Sequence, residues 1–199
     1  MNTTNKPGTR GRPRRFDPDA AVVQTQRLFH EKGYDGVSVA DLTQALGIKP
    51  PSFYAAFGSK VELYRKVLER YVSNGALLLR QILETDQPLA MALTQVLEAA
   101  ARNYAADPRA AGCLVLEGTH CDDPQARAAA DGYHQAAQAL IHAHIAIRQP
   151  QQAQELADFV VTTMAGLSAS ARHGQSLERL LASARLAGLA LHQALRPDP

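Results

Sequence analysis

Cys113, His120 and Cys121 fall within nine residues of one another, in the stretch GCLVLEGTHCD at 112–122. Two thiols and an imidazole could cycle through oxidation or hold a soft metal ion such as Cu(I). Eight residues of continuous helix, however, would set the sulfurs about 12 Å apart and turn them to different faces. A disulfide would need Gly118 to break the helix and fold His120 and Cys121 back. A zinc-finger reading lacks a second ligand pair, and buried cysteine acting as a small hydrophobe is the plainer expectation. His134, His142 and His144 share one expected helix but point apart, so no metal site is expected from them. Spacing supports no Ser/His/Asp set, paired carboxylates or phosphate-binding glycine loop. Neither an enzyme nor a bound cofactor is expected.

The other chemistry in the sequence is polyanion binding. Residues 1–60 hold nine of the 21 lysines and arginines but only five of the 19 acids, leaving twelve cations and fourteen acids for the rest. A basic head on a slightly acidic body suits a nucleic-acid-binding domain joined to something else. The first fifteen residues, MNTTNKPGTRGRPRR, carry five cations, no acid and no apolar face. Such an arm cannot offset its ordering entropy and is expected to be disordered when free. With two cysteines in 199 residues, no 18-residue apolar run and no secretory leader, the sequence suits a reducing cytoplasm.

The elements that would position these groups can be read from caps and spacing. Asp17-Pro18 opens a helix ending at Gly33. Ser38 and Asp41 form a capping box for a second helix, with Val39, Leu42 and Leu46 at helical spacing and Gly47 as its stop. Pro50 opens a short third helix in which Phe53 and Phe57, four apart, point inward while Pro51, Ser52, Tyr54 and Ala55 face out. Helix, glycine turn and short helix with one buried aromatic face is a helix-turn-helix signature. Ser59 and Glu62 read as a second capping box, opening a long helix to about Leu83. Further helices are expected at 88–107, 110–118, 124–148, 151–172 and from about 177 to Leu195, bounded by proline and glycine. The fold class is all-α with about nine helices, divided into an arm (1–15), a head (16–62) and a body (63–196).

The run GYDGVSVADLTQALGIKPPSFYAAFGSKVELY at 33–64 resembles the DNA-binding module of TetR/AcrR-family transcriptional regulators, in particular a subgroup with a GRPR arm and FYAAFGSK-like wording. That resemblance implies a homodimeric repressor on double-stranded operator DNA, released by a small-molecule effector. It places Tyr54 and Lys60 at phosphate-contacting positions and Ser38 at the start of the first motif helix. Lys49, Pro50, Pro51, Ser52 and Ala55 complete the DNA face, and because donors are few there, base readout is expected to be sparse. Arg12, Arg14 and Arg15 are candidates for an adjacent minor groove.

In the body, the resemblance implies an effector pocket, with Tyr104, Cys113, Leu116, His120, Tyr133, Phe159 and Met164 as candidates. The GC-containing stretch is similar to one in relatives that respond to electrophiles, oxidants or copper, which leaves a thiol- or copper-responsive sensor-repressor using Cys113 and Cys121 as one alternative, beside a nonspecific DNA binder or a helical enzyme. The last two helices are the expected dimer-forming pair. Leu156, Val160 and Leu167 form one stripe, and Leu177, Leu181, Ala184, Gly188 and Leu191 the other.

Overall fold

The computed structural model describes residues 17–195, and its helices begin and end where short-range chemistry dictates. The Asp17 carboxylate accepts from the N–H groups of Asp19 and Ala20, and Pro18 opens α1 (Pro18–Lys32). Ser38 and Asp41 satisfy each other's backbone N–H in a complete capping box at the start of α2 (Val39–Leu46). Gly47, left-handed at φ 65°, lets the chain turn directly into α3 (Pro50–Phe57). Ser59 accepts from the Glu62 N–H and opens α4 (Lys60–Leu83). The second capping box is one-sided, because the Glu62 carboxylate pairs with Arg65 Nη1 at 3.1 Å instead of turning back.

Next come α5 (Leu89–Tyr104), a 3₁₀ turn (Pro108–Ala110), α6 (Leu114–Gly118), α7 (Pro124–Arg148), α8 (Ala153–Arg172) and α9 (Leu177–Ala194). The helix expected over 110–118 is therefore divided. Asp107 caps the 3₁₀ turn through the Arg109 N–H, and Gly112 at φ 83° breaks the chain before α6. Among the described residues the fold is nine α-helices with no strand.

Two apolar clusters hold it together. The first joins Phe29, Leu42, Phe53, Leu63, Tyr64 and Leu68 to Leu114 and Val115 of α6 and Ala126 and Ala130 of α7. The second packs α5 against α8 and α9, and α8 in turn against α7, with Leu93, Leu97, Ile141, Ile145, Leu156, Val160, Leu167, Leu181 and Leu191 inside. The long α4 belongs to both, with Tyr64 in the first and Leu83 in the second. At α9 the approach is close: a Cβ on Gly188 would stand 2.6 Å from Thr94 Cγ2.

That packing corrects the dimer stripes expected from the sequence. Leu156, Val160, Leu167, Leu181, Ala184, Gly188 and Leu191 are buried within the chain's own core, and of the set only Leu177 is exposed. Periodicity marks an apolar face but not which neighbour covers it. Besides Leu177, the large apolar side chains left outside on these helices are Phe159, Leu186 and Leu189, at 40%, 67% and 66% exposure.

Candidate nucleic-acid interface

α3 divides cleanly. Phe53 and Phe57 are buried, their rings 5.5 Å apart between centroids. Pro50, Pro51, Ser52, Tyr54 and Ala55 all lie on the exposed side. Tyr54 is 52% exposed and is braced edge-on against Phe53, which fixes its phenol away from the head's core. Lys49 stands exposed as the N-cap, and its side chain makes no capping hydrogen bond. The head thus presents an ammonium, a hydroxyl and a phenol around two prolines and an alanine. That surface can donate to phosphate or base-edge acceptors and meet thymine methyl groups.

Two expected contacts are differently committed. The Ser38 hydroxyl donates to the Asp41 carboxylate while accepting the Asp41 N–H at 3.1 Å. The Ser38 hydroxyl bond, helped by its backbone N–H, holds the Asp41 carboxyl below the usual carboxylate range. With its one proton given away, Ser38 serves as a cap and has no donor left for phosphate. The Lys60 ammonium donates to the carbonyls of Tyr34 and Val37, both at 2.9 Å, and lies 3.8 Å from the Tyr34 ring centre. One of its three N–H groups remains for a phosphate, so the lysine first ties the α1–α2 corner to α4. Tyr34 in turn donates to Asp123 Oδ2 at 2.9 Å, linking the head to the start of α7. Arg12, Arg14 and Arg15 lie outside the described residues.

Away from α3, the helices of the body and the end of α1 border a partly open cavity of about 710 Å³. Tyr104, Cys113, Leu116, Tyr133 and Met164 line it as expected, but His120 and Phe159 do not. His120 is exposed, with Nδ1 2.9 Å from Thr119 Oγ1 and 3.1 Å from the Leu116 carbonyl. Phe159 points outward from α8. Sequence reasoning missed Gln26, His30 and Tyr71, which also line the cavity. Gln26 and His30 are one helical turn apart on the apolar side of α1, a polar pair where a plain core helix would carry none.

Cys113 marks where the cavity meets a junction. Its backbone N–H donates to Ser168 Oγ at 2.8 Å. His30 Nε2 lies 3.1 Å from the Gly112 carbonyl. Arg172, at the end of α8, donates to the carbonyls of His30 (3.0 Å) and Ala111 (3.1 Å) and pairs with Glu117 at 3.0 Å. The 111–113 strap is thereby fastened to α1 on one side and α8 on the other. Burial holds the His30 imidazole below its ordinary range, with the Arg172 charge adding to the effect and the Gly112 carbonyl opposing it. Both cysteines are free thiols. Cys121 belongs to the head's cluster, where burial raises its thiol further from ionisation. Among the described residues, no three His, Cys, Asp or Glu side chains gather as a metal-holding group, and no helix is long and apolar enough to cross a membrane.

The sequence pattern of bacterial regulatory proteins of the tetR family matches residues 22–67, from α1 into the first turns of α4. The chain is 50% identical over 195 residues to the HTH-type transcriptional repressor BdcR of Escherichia coli (strain K12), covering 98% of this chain and 99% of BdcR. It is 32% identical over 184 residues to the HTH-type transcriptional repressor ComR of the same organism, covering 87% and 88% of the two chains. A solved structure of the TetR family transcriptional regulator CifR, a cysteine mutant complexed with 26-bp double-strand operator DNA, superposes with a TM-score of 0.77. The identity is 32%, over 90% of this chain and 99% of that one. Module, architecture and near full-length relatives agree: the chain belongs to the TetR family and is a helix-turn-helix, DNA-binding transcriptional regulator.

Proposed function

We propose that this chain is a homodimeric repressor that occupies a palindromic operator and leaves it when a small molecule fills the body's cavity. The observation that carries the reading is the two-sided α3, with its aromatic pair buried and Lys49, Ser52 and Tyr54 exposed. Two copies of that face, about 34–36 Å apart, match successive major grooves on one side of a duplex. Arg12, Arg14 and Arg15 add contacts from the arm. Residues 16–62 act as the reading head and 63–196 as the sensing and pairing body. Pairing uses the outer side of α8 and α9, where Phe159, Leu186 and Leu189 leave an apolar patch uncovered.

Release follows if the effector binds a conformation whose heads no longer straddle the duplex better than it binds the operator-bound one. The strap at 111–113 provides the connection. An occupant that shifts Cys113 also shifts Gly112, and with it the His30 end of α1. Selection of bound sequences from random DNA by the full chain tests the whole reading. An inverted repeat bound far more tightly than random DNA at one salt concentration is the expected result; equal binding of all sequences overturns it.

The second reading, thiol-dependent release, is favoured by one observation: Cys113 lines the cavity whereas Cys121 does not. Cys113→Ser should then abolish release by electrophiles, and release that persists in that variant excludes it.

A further inference from the structure

Charge is missing from the cavity on one side only. Among the described residues that line it there is no aspartate or glutamate, and the fixed charge is the guanidinium of the exposed Arg80. The deep polar groups provide no anion either. Burial disfavours the charged form of His30, which is bonded to the strap, and pushes the phenols of Tyr71 and Tyr104 far above their ordinary range, beside Cys113. Burial raises the pKa of the lining Tyr133, and the acid whose charge adds to it, Glu69, is exposed and off the wall. The remaining lining is chiefly aliphatic, from Leu79 and Val96 to Ile141 and Met164.

We propose that the cavity takes an uncharged or singly anionic, mainly hydrocarbon molecule and rejects cations of the same shape. This rests on the effector reading above and narrows it to a ligand class. A cation entering here would leave water without finding a carboxylate, and an unpaired buried charge is strongly disfavoured. The faces of the lining tyrosines offset only part of that loss. A neutral molecule meets no such barrier, and an anionic end can stay at Arg80 while the apolar part fills the interior.

The experiment holds the apolar part constant and varies the head. Decanol below its solubility limit, and decanoate and decyltrimethylammonium below their micellar concentrations, are titrated calorimetrically into the full chain without DNA. Decanol and decanoate should saturate the site, with the ammonium compound weaker by about tenfold or more. Arg80→Gln should weaken decanoate alone, and Met164→Glu, which puts a carboxylate on the wall, should narrow the gap between decanol and the cation. A cation bound within about threefold of decanol in the native chain overturns the proposal, since an unpaired buried charge implies discrimination of about tenfold at the least. So does saturable binding by none of the three. Operator binding is measured separately on the selected DNA, so loss of the repressor reading and loss of the ligand class give different results.

Discussion

The head and the body differ in what their packing leaves over. In α3, eight residues bury two aromatic side chains and expose only small or polar groups around Tyr54, so its outer side leaves no aliphatic patch over. In α8 and α9 the buried leucines fill one side, yet Phe159, Leu186 and Leu189 stand outside, and the body also borders a partly open cavity of about 710 Å³. A surface that reads a stiff duplex needs fixed geometry. A sensor needs two packings close in energy, and incompletely filled space with uncovered apolar surface allows that.

The largest effect that would test this contrast is in the head. Phe53→Ala removes a fully buried ring and should cost about 3–5 kcal/mol, read as a fall in the urea midpoint with loss of operator binding. A second test separates core from partner surface in the body. Leu186→Glu with Leu189→Glu alters only exposed positions, so the sedimenting species should shift from dimer to monomer while helicity is retained. Leu181→Glu, five residues before Leu186 and buried in the chain's own core, should instead lower helicity. Dimers persisting in the Leu186/Leu189 variant would place the pairing surface elsewhere.

That test also marks where the sequence stopped being legible. α1 to α4 could be placed almost to the residue because their signals are local: Asp17, Ser38 and Ser59 cap, Gly33 and Gly47 stop, and Phe53 and Phe57 share a face at a spacing of four. The stripe through Leu181, Ala184 and Leu191 is just as regular, but its partner is α5 in the same chain, a contact that periodicity cannot specify. Cavity lining shows the same limit. Tyr104 and Met164 lie on helices of the body and were found; Gln26 and His30 reach the cavity from the head and were not. Lys60 was legible as a cation, but the carbonyls of Tyr34 and Val37 that occupy it come from a loop more than twenty residues away.

A smaller effect is expected at Ser38, and it separates two roles that the sequence left together. Ser38→Ala loses a cap worth about 1 kcal/mol. Because the hydroxyl proton already goes to Asp41, the slope of log operator affinity against log salt should stay that of the native chain. A shallower slope would give Ser38 the phosphate contact denied to it here.

The most modest effect lies in the strap, where the two regions meet, and appears only as pH falls. Burial holds folded His30 below its ordinary pKa of 6.5; Arg172 reinforces this, while the Gly112 carbonyl and Asp107 oppose it. The unfolded chain therefore takes up the proton near 6.5 and the folded chain only at lower pH. Between those points the unfolded state binds more protons, so stability is fully present above the unfolded value and falls as pH drops through it. His144, also lowered chiefly by burial, adds a slope of the same sign. His30→Gln should remove the His30 share and leave that of His144. Urea midpoints of the two chains should keep a constant separation above pH 7 and drift toward each other below 6.5, the native chain losing stability faster. Parallel curves across the whole range would mean that His30 is protonated as readily in the folded chain as in the unfolded one, and the strap would then be fastened to the head through Arg172 by charge rather than through a neutral imidazole.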